Sequence, residues 1–303
     1  MRRIGIIGSD IEQDWSSTEL LKAANGLAVG VAIDPMSFEI RVDGAPSICV
    51  QGDPADLYDA FIVRSFNRRG EIDYQYEVFQ LLDRQGWLVV NRPDGLSLAE
   101  SKAQTTFYLE RAGLPVPRTV VTQSVDKAAA AVREFGTAVV KPLYGSHGIG
   151  IEKLEVEGCE RLLRAFLDRY GAVYVQEFIS NGGRDIRAFV VGDEIPAAMY
   201  RIARKGQWKA NVFQGAGCQA CELSARLREI CLEAAKTIGL DYTGVDVVDG
   251  PDGPVILEVN GAPSWSGLFE ATGRNVAVDV VSHVLRMLDT GRSARQPAAF
   301  RSQ

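Results

Sequence analysis

A hairpin late in the sequence holds the residues best suited to chemistry. It reads Gly244-Val245-Asp246-Val247-Val248, a turn Gly250-Pro251-Asp252-Gly253, then Ile256-Leu257-Glu258-Val259-Asn260. Glu258 and Asn260 stand two apart on a strand and therefore share a face. If Asp246 lies opposite Glu258, two carboxylates and one amide carbonyl converge. That register calls for Asp249 opposite Val255, hence a five-residue loop. A hard, all-oxygen donor set of this kind suits Mg²⁺ or Mn²⁺. A solvated hairpin face is the plain alternative. Leu257 and Val259 make the strand apolar, and buried carboxylates need a partner, which favours the metal.

A second cluster lies upstream, in Val139-Val140-Lys141-Pro142-Leu143-Tyr144-Gly145-Ser146-His147-Gly148-Ile149-Gly150. A buried strand delivers Lys141 directly into a glycine-rich loop. Gly145, Gly148 and Gly150, with Ser146 between them, allow backbone N–H groups to turn inward on phosphate oxygens. Lys141 adds a point charge for the same phosphates. The lysine precedes the glycines, unlike the Walker arrangement. An ordinary hairpin with glycines at its turn is the competing reading. Val175-Gln176-Glu177-Phe178-Ile179 ends a strand on an acid and an aromatic. Its backbone could read a purine edge while Phe178 supplies an apolar wall, although many core strands end this way. Asp185 and Arg187 share a strand face, and Arg201, Arg204, Lys209 and Asn211 follow. They suit a basic wall for a triphosphate, or ordinary surface ion pairing.

The elements that must hold these residues alternate. Arg3–Ile7, 26–33, Ala60–Val63 and 87–90 read as strands, and 17–25 and 74–84 as helices, the pattern of a parallel α/β sheet. Gly5-Ile6-Ile7-Gly8 lacks the GxGxxG spacing, so the first domain is not read as a dinucleotide binder. Asn91-Arg92-Pro93-Asp94-Gly95 reads as a turn and domain boundary. A helix over 101–112 ends at Gly113 with Pro115 and Pro117 beyond, as helix C-termini do. Strands are expected over 119–121, 138–141, 173–178, 186–191, 194–202, 242–248 and 255–260, with helices over 125–135, 225–238 and 276–288. No internal repeat or low-complexity tract is present.

Composition bounds the function. The chain has 303 residues, 46% hydrophobic, enough for two or three compact domains. A net charge of -6 without basic blocks argues against nucleic acid and anionic membranes. No apolar run approaches the ~20 residues of a membrane helix, and the start is too short for a secretory signal. A cytoplasmic protein is expected. Five scattered cysteines do not form a disulfide framework. Cys218-x-x-Cys221 lacks the second pair or nearby histidines of a zinc site, since His147 and His283 are the only histidines.

In this order the motifs resemble the ATP-grasp superfamily, and within it the RimK-like α-L-glutamate ligase family. The resemblance spans nearly the whole chain and is densest from Asn91 to Gly273. It implies an α/β (α+β) ATP-grasp fold. An N-terminal Rossmann-like parallel-sheet domain would cover 1–96, and a small central α+β lid subdomain 97–180. A C-terminal antiparallel-sheet subdomain would cover 181–290, with a flexible tail over 291–303. It implies that Lys102 and Lys141 are the ATP lysines and that Gly145, Ser146, Gly148 and Gly150 cover the phosphates. Glu177 and Phe178 match the adenine hinge, and Asp185 a nucleotide contact. Lys209 and Asn211 fall where the family carries Arg-Ser-Asn. Asp246, Glu258 and Asn260 match the magnesium ligands.

Two departures bear on the acceptor. Val212 to Gly217 lacks the family's His-Arg-Gly-Gly, and Trp265 stands where substrate-facing residues are expected. Pro263-x-Trp265 looks more like members that extend pterin or deazaflavin coenzymes than like those modifying a ribosomal protein. The implied reaction uses ATP and Mg²⁺ (or Mn²⁺). A carboxylate attacks the γ-phosphate, and an amine, on this resemblance that of glutamate, displaces phosphate from the acyl phosphate. Arg201 would steady the tetrahedral intermediate, with Lys141 beside the phosphates. Arg64, at the end of a first-domain strand, would meet the acceptor's carboxylate, and Arg187 and Trp265 would line the substrate side. Another ATP-grasp activity, such as a phosphotransferase or different amino-acid ligase, and a non-catalytic nucleotide-binding regulator are the rivals. A homo-oligomer is left open.

Overall fold

The computed structural model describes residues 1–145, 148–208 and 215–292, together with 294 and 297. The first unit is built from β1 (Arg3–Ile7), α1 (Trp15–Leu27), β2 (Val29–Ile33), β3 (Phe38–Arg41), β4 (Ser47–Val50), β5 (Asp53–Pro54), β6 (Ala60–Val63), α2 (Ile72–Arg84) and β7 (Leu88–Val90). β1, β6 and β7 are continuous apolar runs, as strands covered on both faces must be. They form the parallel sheet β2-β1-β6-β7, confirming the expected sheet. A small antiparallel sheet, β3-β4-β5, was not legible, because its strands are short and half exposed.

Residues 91–95 are not a turn. They open α3 (Pro93–Glu100), with Arg92 at the N-cap and Pro93 in the first turn, where its missing N–H costs nothing. The next helix, α4 (Lys102–Arg111), is capped by Ser101, whose side chain accepts from the Gln104 N–H. The central unit comprises β8 (Thr119–Thr122), α5 (Val125–Phe135), β9 (Thr137–Lys141), β10 (Glu152–Glu155), α6 (Cys159–Tyr170) and β11 (Val173–Glu177). Its antiparallel sheet runs β10-β9-β11-β8, and α5 and α6 bury one apolar face against it.

The last unit contains β12 (Arg184–Val191), β13 (Glu194–Ile202), β14 (Gly217–Ala220), α7 (Ala225–Ile238), β15 (Tyr242–Gly250), β16 (Gly253–Asn260), α8 (Ser266–Thr272) and α9 (Ala277–Thr290). Its antiparallel sheet runs β14-β13-β12-β15-β16, with α7 on the face of Val245, Val247 and Val259. One core continues between units. Ile4, Ile6 and Leu20 join Phe189, Trp265, Val280 and Val284, so α9 packs back on α1. The architecture is the expected α+β arrangement, a parallel-sheet unit followed by two antiparallel-sheet units. Among the described residues no helix is long and apolar enough to cross a membrane.

Candidate active site

The hairpin β15–β16 places Asp246 opposite Glu258 and Gly244 opposite Asn260. The five-residue loop does not exist, because Asp249 pairs with Pro254 and Gly250 with Gly253 around a tight Pro251–Asp252 turn. A β-bulge corrects the register. Val247 pairs with Ile256 but Asp246 with Glu258, leaving Leu257 as the extra residue. Asp246, Glu258 and Asn260 therefore share the face opposite the buried Val247 and Ile256. Bulges of this kind re-aim side chains beside functional sites.

Asp246 is buried and already held by arginines. Arg187 donates Nε and Nη2 to its two oxygens at 2.6 and 2.7 Å, and Arg201 donates Nη2 at 2.7 Å. Arg201 also grips Asp185 through Nε and Nη2, both at 2.7 Å. Burial opposes the Asp246 charge, but Arg187 and Arg201 outweigh it and hold the carboxyl below its ordinary range. At Asp185 burial wins and pushes the carboxyl up, helped by the Asp246 charge. Two carboxylates thus balance two guanidinium groups. Arg201, Arg187 and Asp185, each picked out in the sequence, meet in this one network.

The donor set fits a hard cation. A carboxylate offers about four lone-pair positions, and three on Asp246 are taken. Asn260 Oδ1 accepts only from the Ala262 N–H, at 3.1 Å, among the described residues. Glu258 is half-buried, and its carboxylate makes no hydrogen bond or ion pair among them. Each of the three oxygens can therefore serve a cation.

Lys141 ends β9 facing this hairpin and feels both Glu258 and Asp246. Burial lowers its pKa to about 8, with Lys102 adding to the effect and the two carboxylates opposing it. Its ammonium donates to Gln176 Oε1 at 2.7 Å. Gln176 Nε2 donates to Tyr174 Oη at 2.8 Å, and Tyr174 Oη shares a 2.7 Å hydrogen bond with Thr106 Oγ1 on α4. This chain ties both lysine-bearing elements together. Lys102 donates Nζ to Gly145 O at 2.8 Å, and its N–H reaches Leu143 O at 3.4 Å. The glycine loop is thereby held at the start of α4. Gly150 has φ +72, and a Cβ there would stand 2.7 Å from Tyr170 Oη. Gly145 and Gly148 are also left-handed. Ser146, Lys209 and Asn211 lie outside the described residues.

At the hinge, the Glu177 carboxylate faces Arg118, with both contacts at 2.9 Å. The Glu177 and Phe178 N–H groups are engaged by Arg118 O and Thr137 O, so a purine edge would be left the carbonyls and Ile179. Lys153 Nζ lies 4.1 Å over the Phe178 ring, and Trp208 meets that ring edge-on at 5.7 Å. These flat and basic groups can hold an aromatic base.

Trp265 is a core residue, 1% exposed, packed on Phe189 and Trp15. It can reach a substrate only through what lies on it, and Arg64 lies over its ring at 5.2 Å. Sequence reading missed Asn91. It donates to Tyr242 O and Gly261 O and accepts from the Asp241 and Tyr242 N–H groups, at 2.7–3.1 Å. It therefore fixes both ends of the hairpin, from Tyr242 at the start of β15 to Gly261 just past β16. A buried asparagine in a linker carries no signal of this in sequence.

Residues 99–284 match the family described as RimK-like ATP-grasp domain. The chain is 32% identical to a tetrahydromethanopterin:α-L-glutamate ligase of Methanosarcina acetivorans, over 95% of this chain and 100% of that protein. It is 34% identical to a probable α-L-glutamate ligase of Shewanella loihica, over 91% of this chain and 92% of that one. Its fold is similar to that of the ATP-grasp ligase PsnB complexed with minimal precursor, Mg and ADP. The TM-score is 0.76 at 21% identity, covering 94% of this chain and 98% of that one.

Proposed function

We propose, from the premise that this chain belongs to the RimK-like ATP-grasp family of carboxylate–amine ligases, that it joins the amine of L-glutamate to a carboxylate on a coenzyme-type acceptor. The observation that carries the reading is the convergence of Asp246, Glu258 and Asn260 on one face within electrostatic reach of Lys141. Glutamate is supported by the names of both relatives. A coenzyme acceptor is supported by the Methanosarcina enzyme, which is matched along its whole length, and by the Pro263-x-Trp265 pattern.

The chemistry is limited by charge crowding on the γ-phosphate. Lys102 and Lys141 hold the phosphates, and the 145–150 loop covers them and keeps water from the acyl phosphate. Asp246, Glu258 and Asn260 would hold magnesium, or manganese with the same hard donors, which would supply positive charge against the triphosphate. The acceptor carboxylate attacks the γ-phosphate and ADP leaves. The glutamate amine then attacks the acyl carbon and phosphate departs. Arg201 is anchored through Nε and Nη2, leaving Nη1 to steady the oxyanion. Lys209 and Asn211 complete the nucleotide site, and Phe178 flanks the base.

Mass spectrometry after incubation with ATP, Mg²⁺, L-glutamate and a pterin or deazaflavin coenzyme tests the reading. A product heavier by one glutamyl unit, formed with ADP, is expected. A phosphorylated product, or ADP release indifferent to glutamate, would refute it.

A further inference from the structure

Arg64 directly follows β6 at the carboxyl edge of the parallel sheet, where ligands of open α/β sheets bind. Its side chain is only 4% exposed. Among the described residues its Nε and Nη1 are buried without any hydrogen-bond partner. The remaining nitrogen, Nη2, lies 3.6 Å from Asp14 Oδ2. A buried cation with unmet donors is costly, and folds keep one where a ligand will meet it.

The rest of the setting is rigid. The Arg64 guanidinium lies over the Trp265 ring, Cζ 5.2 Å from its centroid, in reach of a cation–π attraction. Tyr242, fully buried alongside, donates its hydroxyl to Val63 O at 2.8 Å and turns its oxygen towards Arg64. Ser16 and Ser264 share a 3.1 Å hydrogen bond, fastening the Trp265 loop to α1. That loop starts at Asn260, one of the three oxygen donors, and five residues span at most about 18 Å. Trp265, which lies against Arg64, is therefore within about 18 Å of Asn260.

We propose that Arg64 is the recognition point for a carboxylate that does not react, received by its guanidinium beside Trp265. The inference rests on the ligase reading, in which both glutamate and an acceptor with such a tail bring a spare carboxylate. Asp14 is the internal countercharge that keeps the guanidinium in place between turnovers. A lysine here would keep the charge but not the planar guanidinium.

Calorimetric titration with glutarate, a dicarboxylate without amine or coenzyme, tests this directly. Wild type should bind it, and Arg64→Lys about tenfold or more weakly, the scale of losing charge-assisted hydrogen bonds. Asp14→Asn, which still caps α1, should bind it more tightly, and serves if Arg64→Lys does not fold. In turnover, a raised KM for glutamate in Arg64→Lys marks the amine donor as the source. A raised KM for the acceptor marks the other substrate, and KM for ATP should stay put in both. Equal glutarate affinity in wild type and Arg64→Lys, or no binding to wild type, overturns the proposal. Failure of the ligase reading shows separately, as wild type releasing no ADP in response to glutamate.

Discussion

Arg187 and Asp246 face each other across neighbouring strands and meet twice, at 2.6 and 2.7 Å. Asp246 is thus countercharge to two guanidinium groups as well as a proposed ligand for a cation. Asp246→Asn should strand Arg187 and Arg201. Removing one member of a buried pair costs about 3–5 kcal/mol. Thermal unfolding should therefore fall together with ligase activity. Unchanged stability would show that the network is not structural.

Lys141 makes stability depend on pH. Its folded pKa is lowered by burial to about 8, against an ordinary 10.5. Between those values the unfolded chain holds a proton that the fold has released, so stability from this group rises with pH across that window. Nucleotide phosphates should restore the proton, so ADP binding above about pH 8 should take up protons and weaken as pH rises. Calorimetry in buffers of different ionisation enthalpy measures the uptake. Lys141→Met should abolish it, and persistence in that variant would place the titrating group elsewhere.

Gln176 is a positioning residue for Lys141. Gln176→Leu leaves the ammonium without its acceptor, and hydrogen bonds to charged groups are worth about 1.5–3 kcal/mol. Nucleotide affinity should fall by about tenfold or more on that scale. Tyr174→Phe, one link further away, should have a smaller effect. Equal effects would contradict the order of the chain.

Two glycines separate local strain from function. Gly136 and Gly150 both have positive φ, but a Cβ on Gly136 meets nothing, whereas on Gly150 it meets Tyr170. Each alanine variant should lose about 1–2 kcal/mol of stability from its backbone. Only Gly150→Ala should raise KM for ATP. A matching KM change in Gly136→Ala would deny the loop its role.

The sequence showed which residues matter better than how they are held. Apolar runs such as Ala60–Val63 reveal buried strands, and the motif order carried the family. The 91–95 cluster misled because Pro and Gly also begin helices, and here Pro93 starts α3. The bulge at Leu257 was invisible, since pairing depends on twist and packing rather than on residue type. The arginines read as a phosphate wall or as ion pairs, and β12 and β13 place Arg187 and Arg201 on Asp246 and Asp185. No local pattern announces such cross-strand pairs. Arg64 stood out only as a charge after an apolar run, and its unmet donors needed three dimensions.

The central claim is that Glu258 serves a cation rather than the fold. Glu258→Gln keeps the shape, breaks no ion pair among the described residues, and should unfold like wild type. Magnesium-dependent, glutamate-stimulated ADP release by this variant is the measurement. It should fall by about a hundredfold or more, the scale of losing one preorganised electrostatic contact. Full magnesium-dependent release by a folded Glu258→Gln protein would contradict the account.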